Sequence, residues 1–334
     1  MNERDYGLVV GIDHYPRYKP LLGAIADAHE VRSWLLHPEA GGALPESHVK
    51  LVTSADKPPR PLQMEIDESL QEIFDSATRT GGRRLYFYFA GHGFANRSSD
   101  VALCLAPWSR TFRNLAISAA QYRDAIADHG IFSEVIVWLD CCRTREVAAG
   151  GLPPTNPRPA PAAQAGQTRF FVAYATELFQ QAMEGPVDGP LEEERLVRGH
   201  FTRALLSALW GGASRGGGGV LAQDLKEYIE RETQLIAAEA GHEQRPHVSN
   251  ELAGESRFGA ASPEGEVDIR INPERTGEVV LEGPGLEILR RGPASSAPWV
   301  LRLRPGLHVL REPDRGASKV FSFRPSQERQ RVHF

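Results

Sequence analysis

Cysteine is scarce in this chain, with three in 334 residues: Cys104 and the adjacent pair Cys141 and Cys142. So few thiols cannot build a disulfide framework, and no Cys/His spacing of the zinc-ligating kind occurs. Long apolar runs are missing as well, none approaching the roughly 20 residues that a membrane helix needs. Positive charge is not in excess either, since 38 Lys and Arg face 43 Asp and Glu. Residues 265–334 hold 12 basic and 9 acidic side chains, so the rest of the chain is net −8. That balance speaks against nucleic acid, and an acidic larger part suits basic substrates. No ligand pattern like that of an EF-hand is present; no cofactor or metal is expected, with calcium dependence left open. A composition of 41% apolar and 24% charged residues is that of a soluble globular protein. Met1 to Asp5 run straight into an apolar stretch, from which we expect a cytoplasmic protein without a membrane partner.

What is there is an alternation of strands and helices. Tyr6 to Ile12 reads as a strand, Leu21 to Leu36 as a helix, and Val49 to Thr53 as a short strand. Ile66, Leu70, Ile73 and Phe74 mark an amphipathic helix, and two apolar runs follow, Leu85 to Ala90 and Val135 to Leu139. Both are apolar throughout, as in strands buried on both faces of a parallel sheet. Ile117 to Ala127 reads as a helix between them. Phe170 to Ala175 is a fifth strand, followed by an acidic loop from Glu184 to Glu194. Two more helices, one beginning near Phe201 and one beginning near Leu221, flank the glycine run Gly216 to Gly219, and His247 to Ser249 is a last, edge strand. The fold class is α/β, a mostly parallel sheet flanked by helices. Gly150 to Gly166 holds five prolines in 17 residues and no periodicity, so we read residues 150–168 as a flexible linker loop. From Gly265 the pattern changes to short alternating runs: Val267, Ile269 and Ile271; Trp299, Leu301 and Leu303; Phe321 and Phe323. We therefore divide the chain into residues 1–260 and a small all-β, sandwich-like accessory domain at 265–334.

The chemistry sits where the two central runs stop. One ends in Gly91-His92-Gly93 and the other in Asp140-Cys141-Cys142-Arg143. Each motif would leave the carboxyl end of a strand, the edge where open α/β sheets bind ligands. If the strands are neighbours, an imidazole faces a thiol, the pairing of a nucleophile with its base. Cys104 reads as a small core residue. Asp140 lies two residues before Cys142, on the same face of an extended chain and roughly 7 Å away.

These residues resemble the caspase, metacaspase and orthocaspase family of cysteine peptidases, whose caspase pattern sets its His about 50 residues before the Cys; His92 precedes Cys142 by 50. Leu22 to Ala28, Phe170 to Thr176, Arg198 to Phe201 and Arg245 to Ser249 extend the resemblance over roughly the first 250 residues. Thr144 and Cys141 depart from it, standing where the families have Gly and Ala or Ser.

The resemblance implies a cysteine endopeptidase with Cys142 as nucleophile, His92 as base and backbone N–H groups of Gly93 and Cys142 as oxyanion donors. Caspases hold an Asp side chain with two arginines and a Gln. Here those positions fall on Asp27, Glu184 and Asp140, so the pocket is expected to take Arg or Lys before the cut bond. Protein substrates follow, with an activating protease or regulatory partner. Self-cleavage is expected beside the linker, near Arg143, Arg145, Arg158 or Arg169. An acid so near the thiol is expected to oppose the thiolate. Two other readings compete: a catalytically silent scaffold or adaptor, and a hydrolase or transferase acting on a small thioester or amide in a deep apolar pocket.

Overall fold

A computed structural model describes residues 2–55, 57–97, 100–145, 150–155, 168–188, 195–215, 218–260, 264–284, 287–294, 297–323 and 330–334. Six strands make the central sheet: β1 (Asp5–Gly11), β2 (Val49–Thr53), β3 (Arg84–Ala90), β4 (Glu134–Asp140), β5 (Arg169–Tyr174) and β6 (His247–Asn250). Their order is β6-β5-β4-β3-β1-β2, with every neighbour parallel except the edge strand β6. The chain winds one way from β1 to β2 and the other way from β3 onward. The carboxyl ends of β1 and β3 therefore flank the topological switch point where such sheets open a crevice.

Side-chain parity builds two cores. Leu85, Phe87 and Phe89 of β3 face one side, with Val135, Val137 and Leu139 of β4. Helices α2 (Gln63–Thr80) and α3 (Ala119–Asp128) cover that side, burying Ile66, Leu70, Ile73, Phe74, Tyr122 and Ile126. Tyr86 and Tyr88, Ile136 and Trp138 face the other side, under α1 (Ala24–Leu36), α4 (His200–Ser207) and α5 (Ala222–Glu239). Each such Leu, Ile or Phe contributes about 1.5–3 kcal/mol of burial, which fixes the register of the central strands.

Several elements escape periodicity. Gly93–Arg97, Asp100–Cys104, Ala116–Ser118 and Thr144–Arg145 form a second sheet of four short strands. The expected acidic loop is in part a hairpin, with Glu184–Asp188 antiparallel to Arg195–Gly199; residues 189–194 lie outside the described residues. The linker, expected to be loose from Gly150, is docked at its start. Leu152 exchanges backbone hydrogen bonds with Ala116 and Ser118, and Thr155 N donates to Asp67 Oδ2 at 3.0 Å. Its remainder from 156 to 167, with Arg158, and residues 216–217 of the glycine run lie outside the described residues.

Beyond residue 264 two further sheets, of three and four strands, enclose Val267, Ile269, Val279, Leu281, Leu310 and Phe321. They rest on α4 and α5, where Leu307 packs against Ala204 and Ile236 and donates its N–H to Tyr228 Oη at 3.0 Å. No helix among the described residues is long and apolar enough to cross a membrane.

Candidate active site

Strands β3 and β4 run in register to their ends, with Ala90 opposite Asp140. Gly91 N–H donates to Asp140 O at 3.2 Å. His92 and Cys142, each two residues further on, leave adjoining strands at the same edge. Gly93 is needed there for space: a Cβ on it would lie 2.6 Å from Cys141 Sγ and 2.8 Å from the Cys142 carbonyl. Of the two thiols, Cys141 points into the core beneath α2 and α3, whereas Cys142 is half-buried at the rim. Cys104 is fully buried.

The imidazole of His92 lies between Tyr15 and Tyr18, at centroid distances of 4.6 and 4.9 Å. Its backbone N–H donates to Tyr15 Oη at 2.9 Å, and Tyr15 Oη donates in turn to Cys104 O. Nε2 is 2.7 Å from the carbonyl of Lys19. A carbonyl only accepts, so Nε2 carries the proton and neutral His92 keeps its lone pair on Nδ1. Burial holds the ring's pKa below its ordinary 6.5; the Lys19 carbonyl pulls it back up and the Lys19 charge adds to the depression. His92 is thus held as a neutral imidazole with its acceptor on Nδ1.

Cys142 Sγ lies 3.6 Å from Ala182 O, within reach of a thiol hydrogen bond. Burial pushes its pKa above the ordinary 9; Asp140 adds to the rise, while backbone hydrogen bonding at Ala182 and at Cys142 opposes it. The opposition of Asp140 to the thiolate was expected, but burial is the larger cause. Thiol and imidazole therefore rest as two neutral groups, each hydrogen-bonded to a backbone carbonyl.

Asp140, on the α1 and α4 side of the sheet, is the first of three acids that converge. Its Oδ2 accepts from Thr202 Oγ1 at 2.6 Å and Thr202 N at 3.2 Å. Asp27 Oδ2 accepts from Gly199 N at 2.8 Å, and a Cβ on Gly199 would collide with Asp140 Oδ2 and approach Asp27 Oδ2 to 3.1 Å. Glu184 accepts from Leu22 N at 3.1 Å and Gly23 N at 3.0 Å. Asp27 feels the charges of the other two, and Asp140 that of Glu184. Burial lifts Asp140 to about 6, with Glu184 adding; burial and then Asp140 lift Asp27 well above the carboxylate range; burial lifts Glu184. Arg198 is the nearest cation, with Nη1 3.6 Å from Asp27 Oδ1 and Nη2 3.6 Å from Glu30.

All six residues singled out in the sequence lie at this edge. Arg143, expected as a cleavage site, does not suit that role: it is buried, its guanidinium 4.2 Å from the Tyr174 ring and its Nη1 bonded to Thr176 O. Arg145 is exposed, in the short strand beside Phe94 and Ala95. Four participants were not foreseen: the Lys19 and Ala182 carbonyls, Tyr15 and Thr202. A carbonyl has no letter of its own, so the first two left no signal in the sequence. Thr202 stands beside the noted Arg198 to Phe201 motif, and Tyr15 two residues past Asp13 at the end of the first apolar run. Among the described residues no group of three or more His, Cys, Asp or Glu is arranged to hold a metal ion.

A family model described as the caspase domain matches residues 4–255. The chain is also similar to a probable protease from a Desulfuromonadales bacterium, 27% identical over an alignment of 352 positions, gaps included, that takes in 92% of this chain. The match takes in 41% of that protein, so this chain spans about two fifths of its length.

Proposed function

We propose that this chain, which belongs to the caspase-domain family of peptidases, is a cysteine endopeptidase that cuts after Arg, and after Lys, with His92 and Cys142 as its dyad. The family carries a hydrolase of the cysteine-peptidase type; the basic specificity rests on one observation, the convergence of Asp27, Asp140 and Glu184 beside the nucleophile. In this reading His92 Nδ1 takes the thiol proton as Cys142 Sγ attacks the scissile carbonyl. The N–H groups of Gly93 and Cys142 stabilise the oxyanion, and the imidazolium returns its proton to the leaving amine. Water then hydrolyses the thioester. An arginine side chain reaching Asp140 Oδ1 brings a cation beside a thiol that burial and Asp140 hold neutral, so substrate binding favours the attack.

The thiol bonded to Ala182 O and the carboxylates bonded to Thr202, Gly199, Leu22 and Gly23 describe an enzyme at rest. Activation, by cutting the chain after Arg145 or by a regulatory partner, would release the segment carrying Ala182. Fluorogenic peptides ending in Arg, Lys or Asp, assayed on the full chain and on Cys142→Ala, test the proposal. Turnover of the Arg and Lys peptides by the parent alone is expected. Turnover of the Asp peptide would overturn the specificity, and none by any preparation, including one treated with trypsin, would favour a silent scaffold.

A further inference from the structure

A groove of about 630 Å³ opens on the far side of the catalytic histidine, within the volume range of ligand sites. It is lined by Arg17, Tyr18 and Lys19 from the segment after β1, and by Ser109 to Phe112. Its wall is continuous with the dyad: Lys19 O holds His92 Nε2, and Tyr18 packs edge-on to both His92 and Trp108. Arg17, Lys19 and Arg110 are exposed, and none pairs with a carboxylate among the described residues. Phe112 is 45% exposed, and the Arg17 guanidinium lies 5.2 Å from its ring centre. Three cations without a carboxylate partner among the described residues thus surround an open aromatic ring, a positive and partly apolar surface that favours an anionic chain.

Position says which part of a substrate would pass there. The acids sit on the α1 and α4 side of the sheet edge, whereas Tyr18 packs against the core under α2 and α3. The dyad lies between them. A chain whose basic side chain enters the acids and whose carbonyl lies over Cys142 must turn its leaving amine toward His92. Its next residues then run past the imidazole into the groove, one for every 3.3–3.6 Å of extended chain.

We propose that this groove binds the residues that follow the cut bond, and that it selects segments carrying Asp or Glu there. The proposal rests on the peptidase reading for its direction. The substrate class is then a polypeptide with a basic residue before the scissile bond and acidic residues within the next three, its charges mirroring acid pocket and basic groove. The cations lie at a solvent-exposed rim, so the preference is a few-fold effect and salt screens it.

Two measurements on the full chain test this. In the first, fluorescent peptides representing the released half, starting Ser-Glu-Asp or Ser-Gln-Asn, are titrated into Cys142→Ala with and without R17Q/R110Q, and a single-stranded oligonucleotide is used as competitor. The acidic peptide is expected to bind about 3- to 10-fold more tightly, with the difference gone in R17Q/R110Q and in 0.5 M salt. In the second, quenched peptides share one Arg-ending half and differ only after the cut. The acidic one should show a kcat/KM about 3- to 10-fold higher, and R17Q/R110Q should bring the ratio of the two peptides to about one. Equal binding of both peptides, a preference that survives R17Q/R110Q, or an oligonucleotide that binds where the acidic peptide does not would overturn the proposal. Acid-selective binding without any cleavage, even after trypsin treatment, would uphold the groove and sink the peptidase reading; cleavage after Arg without acidic preference would do the reverse.

Discussion

Thr202 grips one oxygen of Asp140 twice, through Oγ1 at 2.6 Å and through its N–H at 3.2 Å. The other oxygen, Oδ1, accepts no hydrogen bond among the described residues. The carboxylate is thus fixed in place with one face unspent, which is what a group awaiting a cation requires. Burial raises its pKa from 3.8 to about 6. The folded state therefore holds this proton more tightly than the unfolded chain, and stability from this group falls as pH rises from about 4 through 6.

Asp140→Asn follows from that sign. The amide oxygen can keep both bonds from Thr202 while the buried charge disappears, removing a cost on the order of 3 kcal/mol at pH 7.5. Thermal denaturation at that pH should show an unchanged or higher midpoint. The kcat/KM for an Arg-ending peptide should drop roughly 10- to 100-fold, the weight of one or two charge-assisted bonds. A variant both destabilised and unimpaired would contradict this account.

The resting dyad has a pH signature. With the thiol pKa raised above 9 and His92 held below 6.5, no thiolate–imidazolium pair forms between pH 6 and 9. Alkylation of Cys142 by iodoacetamide, followed by peptide mass spectrometry, should be slow at pH 7 and climb past pH 9. A plateau already reached at pH 6 would reveal an ion pair and refute the neutral resting state. Turnover, which needs neutral His92 and ionised Asp140, should fall as pH drops below about 6.

Acid should also loosen the fold through two buried histidines. His200 is fully buried with neither ring nitrogen partnered among the described residues, and burial, with Arg203 and His242 adding, lowers it to about 4. His308 is lowered to about 4, chiefly by burial. Each contributes stability that is whole above 6.5 and is lost as pH falls toward 4, on the order of 3 kcal/mol apiece. Buried acids such as Asp140 pull the other way over this range, so the readout is a difference: in urea denaturation at pH 7, 6, 5 and 4, His200→Leu should gain on the parent as pH falls, and a constant difference would refute the account.

How much of this could be read from the letters depends on the kind of interaction. Strands β3 and β4 were legible because they are apolar on both faces, and α2 because Ile66, Leu70, Ile73 and Phe74 repeat at helical spacing. The placement of His92, Cys142 and Asp140 was legible because the two apolar runs that carry them stop together at one sheet edge. The four-stranded sheet from Gly93 to Arg145 was not, since its strands have two to five residues and the last pairs back to the first across α3 and β4. Nor was the hairpin after Glu184, whose polar residues read as loop. Lys19 and Ala182 act through carbonyls, which any residue supplies, and the basic groove joins two segments some 90 positions apart.

Helix α4 is short and is held at two neighbouring places. Its first turn brings Thr202 to Asp140, while two residues on, Ala204 packs with Ile236 against Leu307 of the outlying strands. A pull on those strands meets barely one helical turn before it reaches the carboxylate, with no loop in between to absorb it. A load on the far strands is therefore felt at the three converging acids.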